Sequence, residues 1–130
     1  MAGVIGLELN KFTDYKTART EIKKLAEWIG DRKEQFEGIV QILIYDDFKF
    51  TENPGNLNDY LWVTYTRSNP SHDIYGVDEV NENKHWGCKG PMIMDARKKP
   101  HHAPELKVSL ETEKAIERFF TKGASLEKWA

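Results

Sequence analysis

The fold is decided by the stretch Ile39-Val-Gln-Ile-Leu-Ile-Tyr45, in which apolar and β-branched residues are nearly continuous. Such a run is typical of a strand covered on both faces, as in a sheet that packs under helices. From Lys16 to Glu37, apolar side chains recur three and four positions apart, which predicts an amphipathic helix ended by Gly38 or, less strongly, by Gly30. Its apolar face comprises Ala18, Ile22, Leu25, Ala26 and Ile29. A helix followed by a buried strand is half of an α/β unit.

Two further strands are predicted, one before this helix and strand in the chain and one after them. One is expected from Val4 to Leu9 and the other, short and buried, from Pro91 to Ala96. Residues 68–90 show no clear periodicity, so we expect a long loop that packs on something, such as a partner chain. The loop holds Tyr75, Trp86 and Cys88.

Two further helices are predicted from capping signals. Asn58 is expected to cap a helix from Asp59 to Arg67, although its two threonines leave a strand open. The inner face of that helix is expected to comprise Leu61, Trp62 and Tyr65. Ser109 is expected to cap a last helix that runs to Lys122, stops at Gly123 and has Ala115, Ile116, Phe119 and Phe120 on its apolar side.

Length and charge narrow the class of protein. The 130 residues fit one domain, so we predict a single α/β domain over residues 1–130, with α+β as the alternative. A net charge of −2 argues against nucleic-acid binding. The start of the chain lacks the basic region of a signal peptide, and no apolar run reaches the length of a membrane span. The lone Cys88 suits a reducing compartment, so a cytoplasmic protein is expected.

Acidic and basic residues near the strand ends are the first candidates for a site. Asp46 and Asp47 follow the buried strand, where α/β proteins often bind ligands. Adjacent strand residues point to opposite faces, so the favoured interpretation is that these acids cap a loop. Arg67 could clamp a carboxylate or phosphate through a bidentate contact. Its alternative partners lie within the domain, at Asp59, Asp73 or Asp95.

A metal site is not predicted from the histidines. His101 and His102, with His85, Cys88 and Asp95, match no zinc spacing, and adjacent histidines rarely chelate one ion. A stand-alone enzyme that uses a metal at these histidines is the least favoured hypothesis. The sequence also lacks a Gly-rich phosphate loop, a Gly-x-Ser-x-Gly elbow and a Cys-x-x-Cys pair, so no catalytic residue is nominated.

The region 84–107 is locally basic and supplies the remaining candidates. Trp86, Lys89 and Arg97 lie in it, and Asp95 lies among them at the end of a predicted strand. One aromatic residue is too few for a single-strand nucleic-acid platform. A basic rim that meets an acidic partner subunit or attracts an acidic substrate is the favoured interpretation.

The order of these segments resembles a known family. A buried strand ends in paired acids, a helix carries Leu61-Trp62 and leads to Thr66-Arg67-Ser68-Asn69-Pro70, and a strand runs into Asp95-Ala96. This order, over residues 39–98, resembles the C-terminal domain of UbiD-type aromatic-acid decarboxylases. The positions that match are Leu61, Trp62, Thr66, Arg67, Pro70, Asp73, Lys89, Asp95, Ala96 and Lys98.

The chain departs from the family pattern at three places. Asn69 stands where the family often has Asp, and Phe48-Lys49-Phe50 replaces a more acidic and aliphatic continuation. Arg97 stands where the family has Thr, so any role of that hydroxyl is absent.

The resemblance implies a partner rather than an activity of this chain. UbiD-type enzymes carboxylate or decarboxylate aromatic or α,β-unsaturated acids with prenylated FMN, which the other domains of those enzymes bind. We therefore expect a small accessory subunit, without catalytic residues or its own cofactor, that binds a larger UbiD-like flavin-bearing subunit. The alternative is a stand-alone module that binds a small molecule or a protein. Aromatic surplus also predicts a homo-oligomer of the isolated chain, on account of Trp28, Trp62, Trp86 and Trp129.

Overall fold

The computed structural model describes residues 3–46, 56–103 and 109–129 of the chain. The helices in this part are α1 (Tyr15–Gly30), α2 (Leu57–Arg67) and α3 (Leu110–Glu117). The strands in the same part are β1 (Val4–Glu8), β2 (Gln41–Tyr45), β3 (Ile74–Gly76), β4 (Glu79–Glu82), β5 (His85–Cys88) and β6 (Met92–Asp95). The main sheet has the order β1-β2-β6-β3, in which β1, β2 and β6 are parallel and β3 is antiparallel. Strands β4 and β5 form a separate hairpin.

The sheet is covered on both faces, as the apolar run of β2 predicts. One face carries Ile42 and Ile44 of β2 and packs against Ile22 and Ile29 of α1. The other face carries Leu43 and packs with Val63 of α2, Met94 and Ala96. The prediction of a small α/β domain with a short mixed sheet is confirmed.

Helix α1 begins one residue before its predicted start and ends earlier than predicted. Asp14 caps it, since its carboxylate accepts hydrogen bonds from the amides of Lys16 and Thr17 at 2.8 and 2.9 Å. The helix ends at Gly30, and a 3-10 turn, Lys33–Phe36, follows before Gly38, whose φ of 81° favours glycine. The predicted apolar face is confirmed, because Ala18, Ile22 and Ile29 are buried and Leu25 and Ala26 are partly buried.

Helix α2 presents a different face to the sheet from the one predicted. Asn56, rather than Asn58, caps it. Its buried residues are Val63, Thr64 and Arg67, whereas Leu61, Trp62 and Tyr65 are exposed. The prediction of the inner face was wrong because two of the three buried residues, Thr64 and Arg67, are polar. A search for regularly spaced apolar residues therefore does not find this face.

The stretch 68–90 was expected to be a loop, and this expectation was wrong. It contains β3, whose Tyr75 is buried in the core beneath α1, and the hairpin β4–β5. The hairpin turns at Asn83 and Lys84, which both have positive φ, and this pair lacks the glycine that usually marks such a turn. Strand β4, Glu-Val-Asn-Glu, is too polar to give a strand signal.

The last helix starts as predicted but buries little. The hydroxyl of Ser109 accepts from the amide of Thr112 at 3.0 Å, so this cap is confirmed. The helix ends at Glu117 rather than Lys122, and every residue of α3 is exposed. No helix in the described part of the chain is long and apolar enough to cross a membrane.

Candidate functional site

Charged side chains gather at the carboxyl ends of the neighbouring parallel strands β2 and β6. Asp46 follows β2 and Asp95 ends β6, and both are buried. Around Asp95 lie three further buried charged residues, and we call the four together the Lys99 cluster. It comprises Asp73, Asp95, Arg97 and Lys99, which carry two positive and two negative charges.

Lys99 is the centre of this cluster, and its side chain is fully buried. Its ammonium group donates hydrogen bonds to the carbonyl oxygens of Arg67 at 3.1 Å and Asp95 at 2.5 Å. It also lies 3.2 Å from Oδ2 of Asp73. Lys99 thus joins the end of α2, the end of β6 and the segment before β3. The sequence analysis missed it because a lysine within Lys98-Lys99-Pro100 gives no signal of burial.

Arg97 joins the cluster to α1. Its guanidinium makes paired contacts with Asp95, from Nε to Oδ1 at 2.9 Å and from Nη2 to Oδ2 at 2.8 Å. Nη1 contacts Oε2 of Glu21 in α1 at 2.8 Å and the carbonyl oxygen of Asn10 at 3.3 Å. This bidentate geometry is the strong form of a carboxylate contact. Arg97 therefore ties α1 to the end of β6.

Asp46 and Arg67 form a second buried pair beside the cluster. Nη1 of Arg67 lies 3.7 Å from Oδ1 of Asp46. The same carboxylate oxygen accepts a hydrogen bond from the amide of Lys98 at 3.0 Å. Asp46 therefore stabilises the loop after β6, as the loop-capping interpretation expects. Asp47 lies outside the described residues.

Burial and neighbouring charges shift the pKa values of the cluster. Burial lowers the pKa of Lys99, and this effect outweighs the attraction of Asp95 and Asp73. Burial alone would also lower the pKa of Arg97, but its hydrogen bonds to Asp95 and Glu21 raise it. Burial, together with the charges of His101 and Lys99, lowers the pKa of His102. Nδ1 of His102 accepts from the amide of Lys99 at 3.2 Å, which requires that nitrogen to be unprotonated.

The arrangement is suited to holding segments together rather than to binding a ligand. Its cations contact carboxylates or carbonyl oxygens of the domain itself, and its side chains are closed to solvent. Oδ1 of Asp73 is buried and accepts no hydrogen bond from the described residues. These groups do not fit the phosphate of a flavin, because their positive charges are already neutralised.

The other candidate residues lie away from the carboxyl ends of β2 and β6. Trp86 is half exposed on β5 of the hairpin. Lys89 lines a groove of about 530 Å³ at the opposite end of the strands, between the 3-10 turn and the segment before β6. Its apolar lining comprises Ile29, Phe36, Ile39, Val40, Val77 and Pro91. The ion pair between Lys33 and Asp78, 2.5 Å apart, also borders the groove.

The described residues also bear on two further kinds of chemistry, metal binding and the reactivity of a thiol. Within residues 3–46, 56–103 and 109–129, no group of three or more His, Cys, Asp or Glu is placed to hold a metal ion. Burial raises the pKa of the Cys88 thiol, and nearby Glu79 adds to this effect. A raised pKa lowers the thiolate fraction and hence the reactivity of a thiol.

Comparisons with known proteins do not assign a family. No family model matches the chain, and no solved structure matches it. A protein of Chlamydia muridarum (strain MoPn / Nigg), named only as an uncharacterized protein, is 32% identical over 76 residues. These residues are 58% of this chain and 13% of that protein, which is therefore several times longer than this chain.

Proposed function

We propose that this chain is a small, non-catalytic accessory subunit of a UbiD-like aromatic-acid carboxylase or decarboxylase. The observation that carries the proposal is an apolar stripe on α2, which faces away from the sheet. The stripe comprises Leu57, Leu61, Trp62 and Tyr65, with 52, 40, 51 and 70% of each residue exposed.

The stripe has the features of a docking surface. Leu57, Leu61 and Tyr65 are four residues apart and therefore lie on one side of the helix, with Trp62 beside them. The opposite side of α2 is already packed against the sheet through Val63. Large contiguous apolar patches are uncommon on the surfaces of monomers, and buried Trp and Tyr anchors carry much of the affinity at protein interfaces. A larger protein subunit is the partner that suits such a surface.

The resemblance to the UbiD family is the reason that a larger UbiD-like subunit is proposed as the partner. Three of the matching positions contact the Lys99 ammonium: Arg67 through its carbonyl oxygen, Asp95 through its carbonyl oxygen and Asp73 through its carboxylate. Their role in the domain is thus one of fold maintenance, which suits a domain that carries no reaction. A similar segment also occurs within a much longer protein of Chlamydia muridarum, as expected of a unit that works as part of a larger protein.

In this proposal the larger subunit binds prenylated FMN and carries out the reaction on an aromatic or α,β-unsaturated acid. This chain docks through the α2 stripe, covers part of that subunit and works in the cytosol. Its buried charges hold the shape of the docking surface, because Lys99 anchors the last carbonyl of α2.

The test is to purify the tagged chain from its source cells and to map the docking surface with variants. We expect a UbiD-like flavoprotein to co-purify with the wild-type chain in a fixed ratio. Leu61→Glu and Tyr65→Glu place a charge in the stripe at exposed positions and should abolish co-purification without unfolding the chain. Thr20→Glu adds the same charge at an exposed position of α1 and is the matched control. Retention of the flavoprotein by both stripe variants contradicts the proposed surface.

The second candidate function is a stand-alone binding module. The groove beside Lys89 favours it, because its volume of about 530 Å³ falls in the range of small-molecule sites and its lining is largely apolar. A thermal-shift screen with aromatic acids, nucleotides and flavins tests this function. Stabilisation that Lys89→Gln removes would support it, and the absence of any stabilisation would count against it.

A further inference from the structure

Strand β1 forms one edge of the main sheet. In the part of the chain that the structure describes, it pairs with β2 alone. In a parallel pair of strands, alternate residues direct their N–H and C=O groups toward the partner, so two hydrogen bonds suffice to show which residues of β1 point away from β2. The carbonyl oxygen of Gly3 accepts from the amide of Gln41 at 3.2 Å, and the amide of Leu9 donates to the carbonyl of Tyr45 at 2.9 Å. Odd-numbered residues therefore face β2, and the N–H and C=O groups of Val4, Gly6 and Glu8 point outward.

The residues of β1 itself carry none of the sequence features that usually protect an edge strand from pairing with another strand. Edge strands are commonly blunted by Lys, Pro, bulges or short length. The five residues of β1, Val-Ile-Gly-Leu-Glu, include neither Lys nor Pro, and their one charge is at the end, on Glu8. The opposite edge, β3, has only three residues, and the amide of Gly76 there donates to Oε1 of Glu79 at 2.9 Å.

We propose that the free edge of β1 binds the β1 strand of a second copy of this chain, antiparallel, with Gly6 opposite Gly6. This register places Val4 opposite Glu8 and Ile5 opposite Leu7. Every outward-facing N–H and C=O of β1 then meets a partner, and the two sheets become one. The half-buried side chains of Ile5 and Leu7 cover each other on the face that α1 packs against.

The register follows from the geometry of the strand. A twofold axis can pass beside any residue of β1, because an antiparallel ladder has twofold positions at both its hydrogen-bonded and its non-hydrogen-bonded pairs. Only the axis at Gly6 lets Val4, Gly6 and Glu8 all pair within the strand. An axis at Ile5 leaves Glu8 without a partner in β1, and an axis at Leu7 leaves Val4 without one. An antiparallel contact of this kind is self-complementary, so it closes as a dimer instead of growing into a fibre. The α2 stripe lies on a different element, so this inference does not depend on the proposed docking of a larger subunit.

Charge variants at the edge test the register by sedimentation equilibrium of the purified chain. Val4→Glu places like charges opposite Glu8 at both ends of the interface, and we expect its dissociation constant to rise about tenfold, or about 1.4 kcal/mol. Val4→Lys changes the same position but places opposite charges there, so it should dimerise at least as tightly as the wild type. The double variant Val4→Glu with Glu8→Lys reverses the pair and should restore wild-type affinity.

Amide hydrogen exchange on the wild-type chain supplies a readout that needs no variant. The amides of Val4, Gly6 and Glu8 should exchange slowly in the dimer and faster on dilution, whereas those of Ile5 and Leu7 should be protected at both concentrations. A wild-type chain that stays monomeric at about 100 µM overturns the inference. Equal effects of Val4→Glu and Val4→Lys, or no concentration dependence at Gly6, also overturn it and place any dimer on another surface.

Discussion

Replacing Lys99 by Met should destabilise the domain by about 3–5 kcal/mol, the typical cost of removing one partner of a buried ion pair. Lys99 is the group through which the end of α2, the end of β6 and Asp73 are joined. Met keeps most of the aliphatic volume, so the loss reports the ammonium group rather than a cavity. Asp73 would keep a hydrogen bond from the amide of Asn69 at 2.7 Å but would lose its cation.

The magnitude follows from what the variant leaves behind. The carbonyl oxygens of Arg67 and Asp95 each lose a charged donor, and a buried acceptor left without a partner costs about 1–3 kcal/mol. The charge of Asp73 remains in a site that is 1% exposed. Burial deprives the Lys99 ammonium of water, which lowers its pKa and offsets part of the stabilisation that its contacts supply.

Urea denaturation at pH 7, followed by tryptophan fluorescence, measures this loss. Lys24→Met, at an exposed site on α1, is the matched control and should change the free energy of unfolding by less than about 0.5 kcal/mol. Adding Asp73→Asn to Lys99→Met should recover part of the loss, because it removes the uncompensated charge. A loss below about 1 kcal/mol for Lys99→Met, or no recovery in the double variant, refutes this account of the cluster.

The remaining predictions concern His102 and the base of the hairpin. The pKa of His102 is lowered from its ordinary value of 6.5, so the unfolded chain takes up its proton more readily, and the free energy of unfolding should fall as the pH drops below about 6.5. His102→Asn, which keeps an acceptor for the amide of Lys99, should flatten this dependence in urea titrations at several pH values. Gly76→Ala should destabilise the domain by about 1–3 kcal/mol, because the new methyl group overlaps Cβ of Cys88. Gly87→Ala meets only an ordinary contact with Val80 at 3.6 Å and should change stability by less than about 1 kcal/mol.

Matched variants test the pH dependence assigned to His102 and the close contact assigned to Gly76. His85→Asn, at an exposed position of β5, is the control for His102, and an unchanged pH profile in His102→Asn would contradict the role given to Nδ1. For the hairpin, equal stability of the two glycine variants would show that β3 does not approach Cys88 as closely as the structure places it.

The elements with a strong periodic signal could be predicted from the sequence. The buried run of β2 and the apolar face of α1 were located correctly because their apolar spacing is regular. Ser109 and its helix start followed from capping chemistry alone. The hairpin β4–β5 could not be found, because β4 is polar and its turn is Asn83-Lys84 without glycine.

The charged cluster could be predicted only in part. Asp46, Arg67 and Asp95 were nominated from their positions at strand and helix ends, and Arg97 as part of a basic rim. The structure places all four near the carboxyl ends of β2 and β6, with Arg97 buried rather than on a rim. Lys99 was missed, since nothing local distinguishes a buried lysine from an exposed one. Such a lysine is stable only where distant segments supply acceptors, and those contacts depend on tertiary structure.

The most direct test of the accessory-subunit proposal is native mass spectrometry of the tagged chain purified from its source cells. The account predicts one complex of fixed stoichiometry that contains this chain, a larger UbiD-like subunit and the mass of a prenylated FMN. Purification of this chain alone or as an oligomer of itself, with no flavin-bearing subunit, would contradict the proposed function.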